Sequence, residues 1–285
     1  MISDDLTPHG KADGPAMLPP GTPIVRGGVG MLAQPLLRRP HAARSFRFFD
    51  AAILLVNSGK LTLDADQVHM ELDEPLTLLA VAQDVRADIQ KNPGSGDGTF
   101  RSMFLTFAPD VILEFYKRHE NEMSISSPIA SLRKLGVDAD LADTLAYCVR
   151  GMAAEQVSDR EQRHRLIGLL LALADRGCCF PRPSTQQIGD RLKGLLGPSP
   201  QRRWTTATAA RELAMSEATL RRRLATENLR FDSLLLDIRM HHAMTLLQTT
   251  AWSIPQIAEA SGYRASSRFA LRFRERFGCS PSRAR

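Results

Sequence analysis

The 285 residues carry 37 Lys and Arg against 31 Asp and Glu, a net charge of +6, with 43 % apolar side chains and four cysteines. That balance belongs to a globular chain of about two domains. It offers no run near the ~20 apolar residues of a membrane helix, no basic-then-apolar secretory start in MISDDLTPHG, and no Cys/His grouping of the kind zinc needs. A cytoplasmic protein with no membrane partner, no metal and no cofactor is expected, and Cys148, Cys178, Cys179 and Cys279 read as reduced, buried thiols.

Residues 1–40 hold seven Pro and six Gly with no period, the composition of a disordered arm. From Phe46 the texture changes. Short apolar runs are separated by Asn57-Ser58-Gly59, Asp64-Ala65-Asp66 and Asp73-Glu74-Pro75, and TFRSMFLTF follows the glycine-rich NPGSGDG. Closely spaced strands with turn residues between them predict a small antiparallel sandwich or barrel. Pro109 opens a predicted helix, PDVILEFYKRH. Two more follow, DADLADTLAYCVRGMAAEQ and a Ser- or Asp-capped SDREQRHRLIGLLLALADRG. The run Ile167 to Leu173 is more apolar than one buried face requires, which predicts packing on both sides or a dimer interface. Pro181 and Pro183 mark the domain break.

Beyond the break the charge concentrates. Residues 201–285 contain 15 Arg, no Lys and 7 Asp or Glu, a surplus of +8, so the first 200 residues carry −2. Such a skew suits a polyanion partner. STQQIGDRLKGLLG predicts a capped amphipathic helix. TTATAARELAMSEATLRRRLATENL predicts helix, tight turn, helix, with Ala210 and Ala214 small enough for close crossing and Ser216 as cap. On the second helix Leu220 and Leu224 share one face, Ala218 and Arg222 lie opposite, and Thr219 and Arg221 flank them. The pattern recurs about 48 residues later, Ala258 matching Ala210 and Gly262 matching Ala214, with one extra residue before Phe269. Phe269, Phe273 and Phe277 advance 40° per step as a buried stripe. Ser267, Arg268, Leu271 and Arg274 then face outward, with Ser266 expected to cap in place of Ala265. Arginine can bond guanine O6 and N7 in the major groove, while other arginines meet phosphate. Between the units, FDSLLLDIRMHHAMTLLQ has no Gly or Pro. As a rod of roughly 27 Å it would set two reading helices about one DNA turn apart. His241 and His242 are expected at the surface or near DNA.

At these residues segment 184–285 resembles the DNA-binding domain of AraC/XylS-type bacterial transcription regulators. The matching residues are Arg239-x3-Ala243-x2-Leu246-Leu247, Ile257-Ala258-x3-Gly262-Tyr263 and Phe269-x3-Phe273-x3-Phe277-Gly278-Cys279-Ser280-Pro281. The resemblance implies an α+β chain. An N-terminal cupin-like β-barrel with flanking helices (41–180) senses a ligand or partner and dimerises. An all-α domain with two helix-turn-helix units joined by a linker helix (184–285) binds double-stranded promoter DNA and activates RNA polymerase. LLVNSGKLTL resembles the start of this barrel in the virulence-regulator branch, some members of which respond to a fatty acid through a basic residue before the linker helix, here Arg230. A second basic position of that branch is Ala52 here, leaving Arg44 or Arg47 to substitute. Leu271 stands where relatives often carry a polar or basic residue, and the final helix after Pro281 is expected to be short. Two other readings compete: a DNA-coating protein without sequence preference, and a metal-dependent cupin enzyme, for which residues 46–108 supply only His69.

Overall fold

The computed structural model describes residues 17–19, 21–73, 76–119, 127–184 and 187–284. Eleven strands lie in the N-terminal part of the described chain: β1 (Ile24–Arg26), β2 (Gly30–Ala33), β3 (Leu36–Leu37), β4 (His41–Arg47), β5 (Ala51–Ser58), β6 (Lys60–Ala65), β7 (Val68–Leu72), β8 (Thr77–Val81), β9 (Arg86–Asn92), β10 (Phe100–Phe107) and β11 (Leu132–Gly136). Helix α1 (Pro109–His119) lies between the last two, and α2 (Ala139–Ala153) and α3 (Asp159–Asp175) follow. One antiparallel sheet runs β1-β2-β10-β5-β8-β11, with β3 also on β10; the other runs β4-β9-β6-β7. Together they form an open, cupin-like two-sheet barrel.

Strand β5 shows how the sequence builds it. Ala51, Ile53 and Leu55 join a core beneath the three helices, whereas Ala52, Leu54 and Val56 join the core between the sheets. Both faces are buried, so the strand reads as an unbroken apolar run. The hairpin to β6 turns at Gly59, whose φ is +85° and whose missing side chain lets the Asn92 carbonyl approach. Helix α3 packs against both α1 and α2, which accounts for the apolar run Ile167 to Leu173. Three of the four thiols are buried as expected, Cys148, Cys178 and Cys179, whereas Cys279 is only half-buried; burial pushes the Cys148 thiol up to about 12.

Part of the expected disordered arm is ordered. Residues 1–16 and 20 lie outside the described residues, but 24–37 form three strands, with Val29, Leu32, Ala33 and Leu37 in the cores. Two of the glycines that suggested disorder are a turn and a contact residue. Gly28 turns at φ +66°, and a Cβ on Gly30 would strike the Thr106 carbonyl.

The C-terminal part is helical: α4 (Ile188–Leu196), α5 (Thr206–Glu212), α6 (Glu217–Thr226), α7 (Phe231–Thr249), α8 (Ile254–Ala260) and α9 (Ser266–Phe277), then a 3-10 turn at Pro281–Arg283. Its two cores share α7. Phe231, Leu234, Leu235 and Ile238 pack with α4–α6; Met240, Ala243, Met244, Leu246 and Leu247 pack with α8 and α9. Each end of α7 therefore serves a different unit, and the helix is buried almost all round. The expected side-chain cap on α4 is absent: its N-cap is Gln187 without a cap bond. Glu227 takes that role from a distance, accepting from the Ile188 and Gly189 amides at 2.7 and 2.8 Å, an anion at the positive end of a helix.

Candidate nucleic-acid interface

The two helix-turn-helix units are built alike. Thr205 and Ser253, 48 residues apart, each close a capping box, with Thr208 and Gln256 at the third helical position. Ala214 and Gly262 occupy the turns at φ +56° and +83°. The one-residue insertion falls after the turn: α6 is capped by Ser216, which accepts from the Thr219 amide at 3.1 Å, whereas the N-cap of α9 is Ala265. Ser266 does not cap in its place. It is the first helical residue, and α9 starts without a side-chain cap bond. Leu220 and Leu224 anchor α6; Phe269, Phe273 and Phe277 anchor α9, with successive rings 5.7 and 4.9 Å apart.

The outward sides are open. Ser216, Ala218, Arg221 and Arg222 on the first unit, and Ser267, Arg268, Leu271 and Arg274 on the second, are exposed; Thr219 and Ser266 are half-buried. Arg221 is held by Glu217 one turn back. Among the described residues Arg222, Arg268 and Arg274 have no ion-pair or hydrogen-bond partner, and Leu271 is 47 % exposed. Other arginines are structural. The Arg239 guanidinium donates to the Pro200 and Arg202 carbonyls at 2.9 and 3.0 Å, and a Cβ on Gly262 would stand 2.9 Å from it. One side chain thus ties α7 to the loop before α5 and to the second turn. Helix α7 is unbroken over its 19 residues, about 28 Å at 1.5 Å per residue.

Both histidines of α7 depart from expectation, and neither is at an exposed surface. His241 is buried at the junction with the barrel, its ring 4.4, 5.0 and 5.3 Å from those of Phe46, Phe49 and Phe277. Burial, then the charges of Arg276, Arg86 and Arg47, hold it well below the usual histidine range. Burial likewise lowers His242 to about 4. Sequence reading could not see the setting of His241, because Phe46 of β4 and Phe49 just beyond it are nearly 200 residues away. Two ion pairs cross the junction: Asp84, also held by Arg47 at 2.7 Å, takes Lys193 at 2.8 Å, and Asp237, also held by Arg276 at 2.6 Å, meets Arg86 at 3.7 Å.

Between the barrel and α7 lies a narrow cleft with about 40 Å³ of unfilled room, lined by Phe46, Phe48, Leu54, Phe104, Met244 and other apolar groups. None of the arginines considered for a ligand lines it. Arg44 is exposed on β4, Arg230 is exposed at the start of α7, and Arg47 is engaged by Asp84. The cation in the cleft is Lys91, which donates to Gln248 Oε1 at 2.6 Å and which burial lowers to about 7. His41 beside it has no hydrogen-bond partner on either ring nitrogen, and burial, with the Lys91 charge, lowers it to about 4. A signal for Lys91 was present: on β9 it continues the inward alternation of Ala87 and Ile89. Among the described residues no group of three His, Cys, Asp or Glu could hold a metal, and no helix is long and apolar enough to cross a membrane.

Comparison with known proteins agrees with this geometry. A family model described as a helix-turn-helix domain matches residues 209–285. The virulence regulon transcriptional activator VirF of Shigella flexneri is 30 % identical over 236 residues, 81 % of this chain and 86 % of VirF. The transcriptional regulator SirC of Salmonella typhi is 24 % identical over 266 residues, 87 % of this chain and 89 % of SirC. Crystal structures of ToxT from Vibrio cholerae share the fold at 17 % identity. The apo form of a lysine-to-alanine variant of ToxT matches 89 % of this chain and 96 % of its own with a TM-score of 0.59. An unsaturated fatty acid-bound wild-type form matches 93 % and 96 % with a TM-score of 0.58.

Proposed function

The chain belongs to the AraC/XylS-type bacterial transcription regulators, in their virulence-regulator branch, and from that premise we propose that it is an activator reading two adjacent major grooves with α6 and α9. The observation that carries this reading is the pair of helices held from behind by buried stripes, each with unpartnered arginine on its open side. Arg222 is the base-reading residue of the first unit, with Ser216, Ala218, Thr219 and Arg221 around it. Arg268 and Arg274 serve the second, with Ser266 and Ser267 at its start and Leu271 against a thymine methyl. Residues 184–285 form the DNA-binding domain and 41–180, extended by the ordered part of the arm, the sensing and dimerising domain. The chain is not an enzyme. It works in the cytoplasm on the nucleoid, as a homodimer that contacts RNA polymerase at the promoter.

Binding competition between a target promoter and random DNA tests the core of this reading. Strong preference for the promoter is expected. Equal affinity for both, falling steeply with salt, would return the chain to the DNA-coating reading.

The cleft supports a second element, a carboxylate effector of the fatty-acid type. Lys91 is a cation with no carboxylate partner beside an apolar wall, and a bound carboxylate would satisfy it. The acyl chain needs more than the present 40 Å³, so its entry would part β4 from α7. Ligand occupancy would therefore bear on the position of α9, which rests on β4 through Phe46 and Phe277 with ring centroids 6.5 Å apart. Oleate added to the promoter-binding assay should shift affinity in the wild type and not in Lys91→Met. An equal response in both refutes Lys91 as the anchor.

A further inference from the structure

Helices α1 and α3 meet on the larger sheet, and the groove between them, with a volume of about 390 Å³, is lined by Glu114, Arg118, Asp159, Arg160, Arg163 and His164. This lies apart from the DNA-binding half, whose contacts with the barrel run through β3, β4, β9 and the turn at Asp84.

The groove's two carboxylates are already used. Glu114 is paired with Arg118 on the same helix, and Asp159 takes Arg26 of β1 at 2.7 Å. Arg160 and Arg163 have no carboxylate partner among the described residues, and Arg163 Nε is buried with no hydrogen-bond partner. A buried N–H left unmade is costly and calls for an explanation. Arg118 Nη1 donates to His164 Nδ1 at 3.2 Å. An accepting Nδ1 puts the imidazole proton on Nε2, leaving a third unused donor. The polar groups left over are therefore donors, two of them on permanent cations.

Arg163 is also seated rather than loose. It lies over the β1–β2 turn, where a Cβ on Gly28 would fall 2.5 Å from Nη2. The glycine makes room for the guanidinium while its φ of +66° turns the chain. An acceptor-only anion with more than one charge is the complement of such a set, and arginine forks match phosphate oxygens in geometry. We propose that this groove binds a small phosphate-bearing anion, held by Arg160 and Arg163 with His164 as the third donor, separately from the DNA site. Its volume falls within the range of small-molecule pockets, roughly 300–1,000 Å³.

Inorganic pyrophosphate, titrated calorimetrically into the full chain at low ionic strength, tests the assignment. One saturable site per chain is expected. Arg160→Ala and Arg163→Ala should each weaken it by about tenfold or more, the effect of one lost charged hydrogen bond, and Arg222→Ala should leave it unchanged. Arg160 is exposed, so its variant keeps the test open if Arg163→Ala fails to fold. A nucleoside triphosphate run in parallel separates two sources of the same chemistry: equal affinity means the phosphates alone are read, and tighter affinity adds a nucleoside. Titrations that never saturate overturn the site. So does binding that Arg222→Ala abolishes and Arg160→Ala leaves intact, which would place the anion on the DNA-reading helices.

Discussion

The two helix-turn-helix units share a plan and differ in how they are secured. The first is filled with leucine, its reading helix is capped by Ser216, and none of the hydrogen bonds or ion pairs that join the halves runs through α6 among the described residues. The second is filled with phenylalanine, its reading helix lacks a cap, and its far end rests on the barrel through Phe277 and Phe46 while the Arg276–Asp237 pair ties it to α7. A capped helix free of the barrel suits constant readout. An uncapped helix leaning on the sensing half suits readout that depends on what that half is doing. Changes in the second unit should therefore disturb folding and regulation, and changes in the first should disturb recognition alone.

The largest effect should come from the aromatic stripe. Phe273 is fully buried between Phe269 and Phe277, and Phe273→Ala is expected to cost about 3–5 kcal/mol, transfer loss plus cavity. Chemical denaturation measures it. Loss of promoter binding should accompany it, because Phe273 is the centre of the stripe that holds α9 in place. A cost under about 1 kcal/mol would mean that the stripe does not hold the helix.

Recognition should show the opposite pattern. Arg222→Ala leaves the core untouched and is expected to lower promoter affinity by about 1–3 kcal/mol, with little change on random DNA. Leu271→Ala should cost less, since a methyl contact is all it can offer. If Arg222→Ala lost equally on both DNAs, it would be a phosphate contact, and the division of labour between the units would be wrong.

The caps give a smaller and more symmetrical test. Ser216→Ala should cost about 1 kcal/mol, within the usual 0.5–2 for a lost N-cap. Ala265→Ser should gain a similar amount, because Ala265 already has the extended backbone of a cap, at φ −117° and ψ 120°. Thermal unfolding of the two variants checks the pair. No gain from Ala265→Ser would show that the second helix start is secured by something other than a side chain.

The contrast also explains what the sequence could reveal. The C-terminal units were legible because large apolar residues at spacings of four, in two copies, fix which side of each helix is buried. Barrel strands such as β5 were legible from apolar runs between turn residues. Strands β1 and β3 were not, being three and two residues long, too short to alternate visibly amid Gly and Pro. The inward side of Lys91 was legible from the alternation of β9, but its partner, like the setting of His241, was not. Both environments are made by residues far away in the chain, Phe46 and Phe49 for His241 and Gln248 for Lys91, and local pattern carries no record of a contact between halves. Position 265 failed more narrowly: a cap was expected from whichever serine was nearest, and the helix begins on alanine.

The smallest expected effect lies in the turns themselves. Ala214 and Gly262 hold the same place in the two units, both left-handed, at φ +56° and +83°. A non-glycine residue pays roughly 1–2 kcal/mol there, so Ala214→Gly relieves strain in the folded state. It also loosens the unfolded chain, which returns about 0.4–1 kcal/mol, and the net gain should be about 0.5–1 kcal/mol. The reverse change is not symmetrical. Gly262→Ala meets the same strain and also sets a Cβ 2.9 Å from the Arg239 guanidinium, disturbing the side chain that binds α7 to both units. It should therefore cost more than Ala214→Gly gains. Denaturation midpoints of the two single variants decide the matter. Equal and opposite shifts would mean that the turns differ only in backbone strain, and that Arg239 yields without consequence.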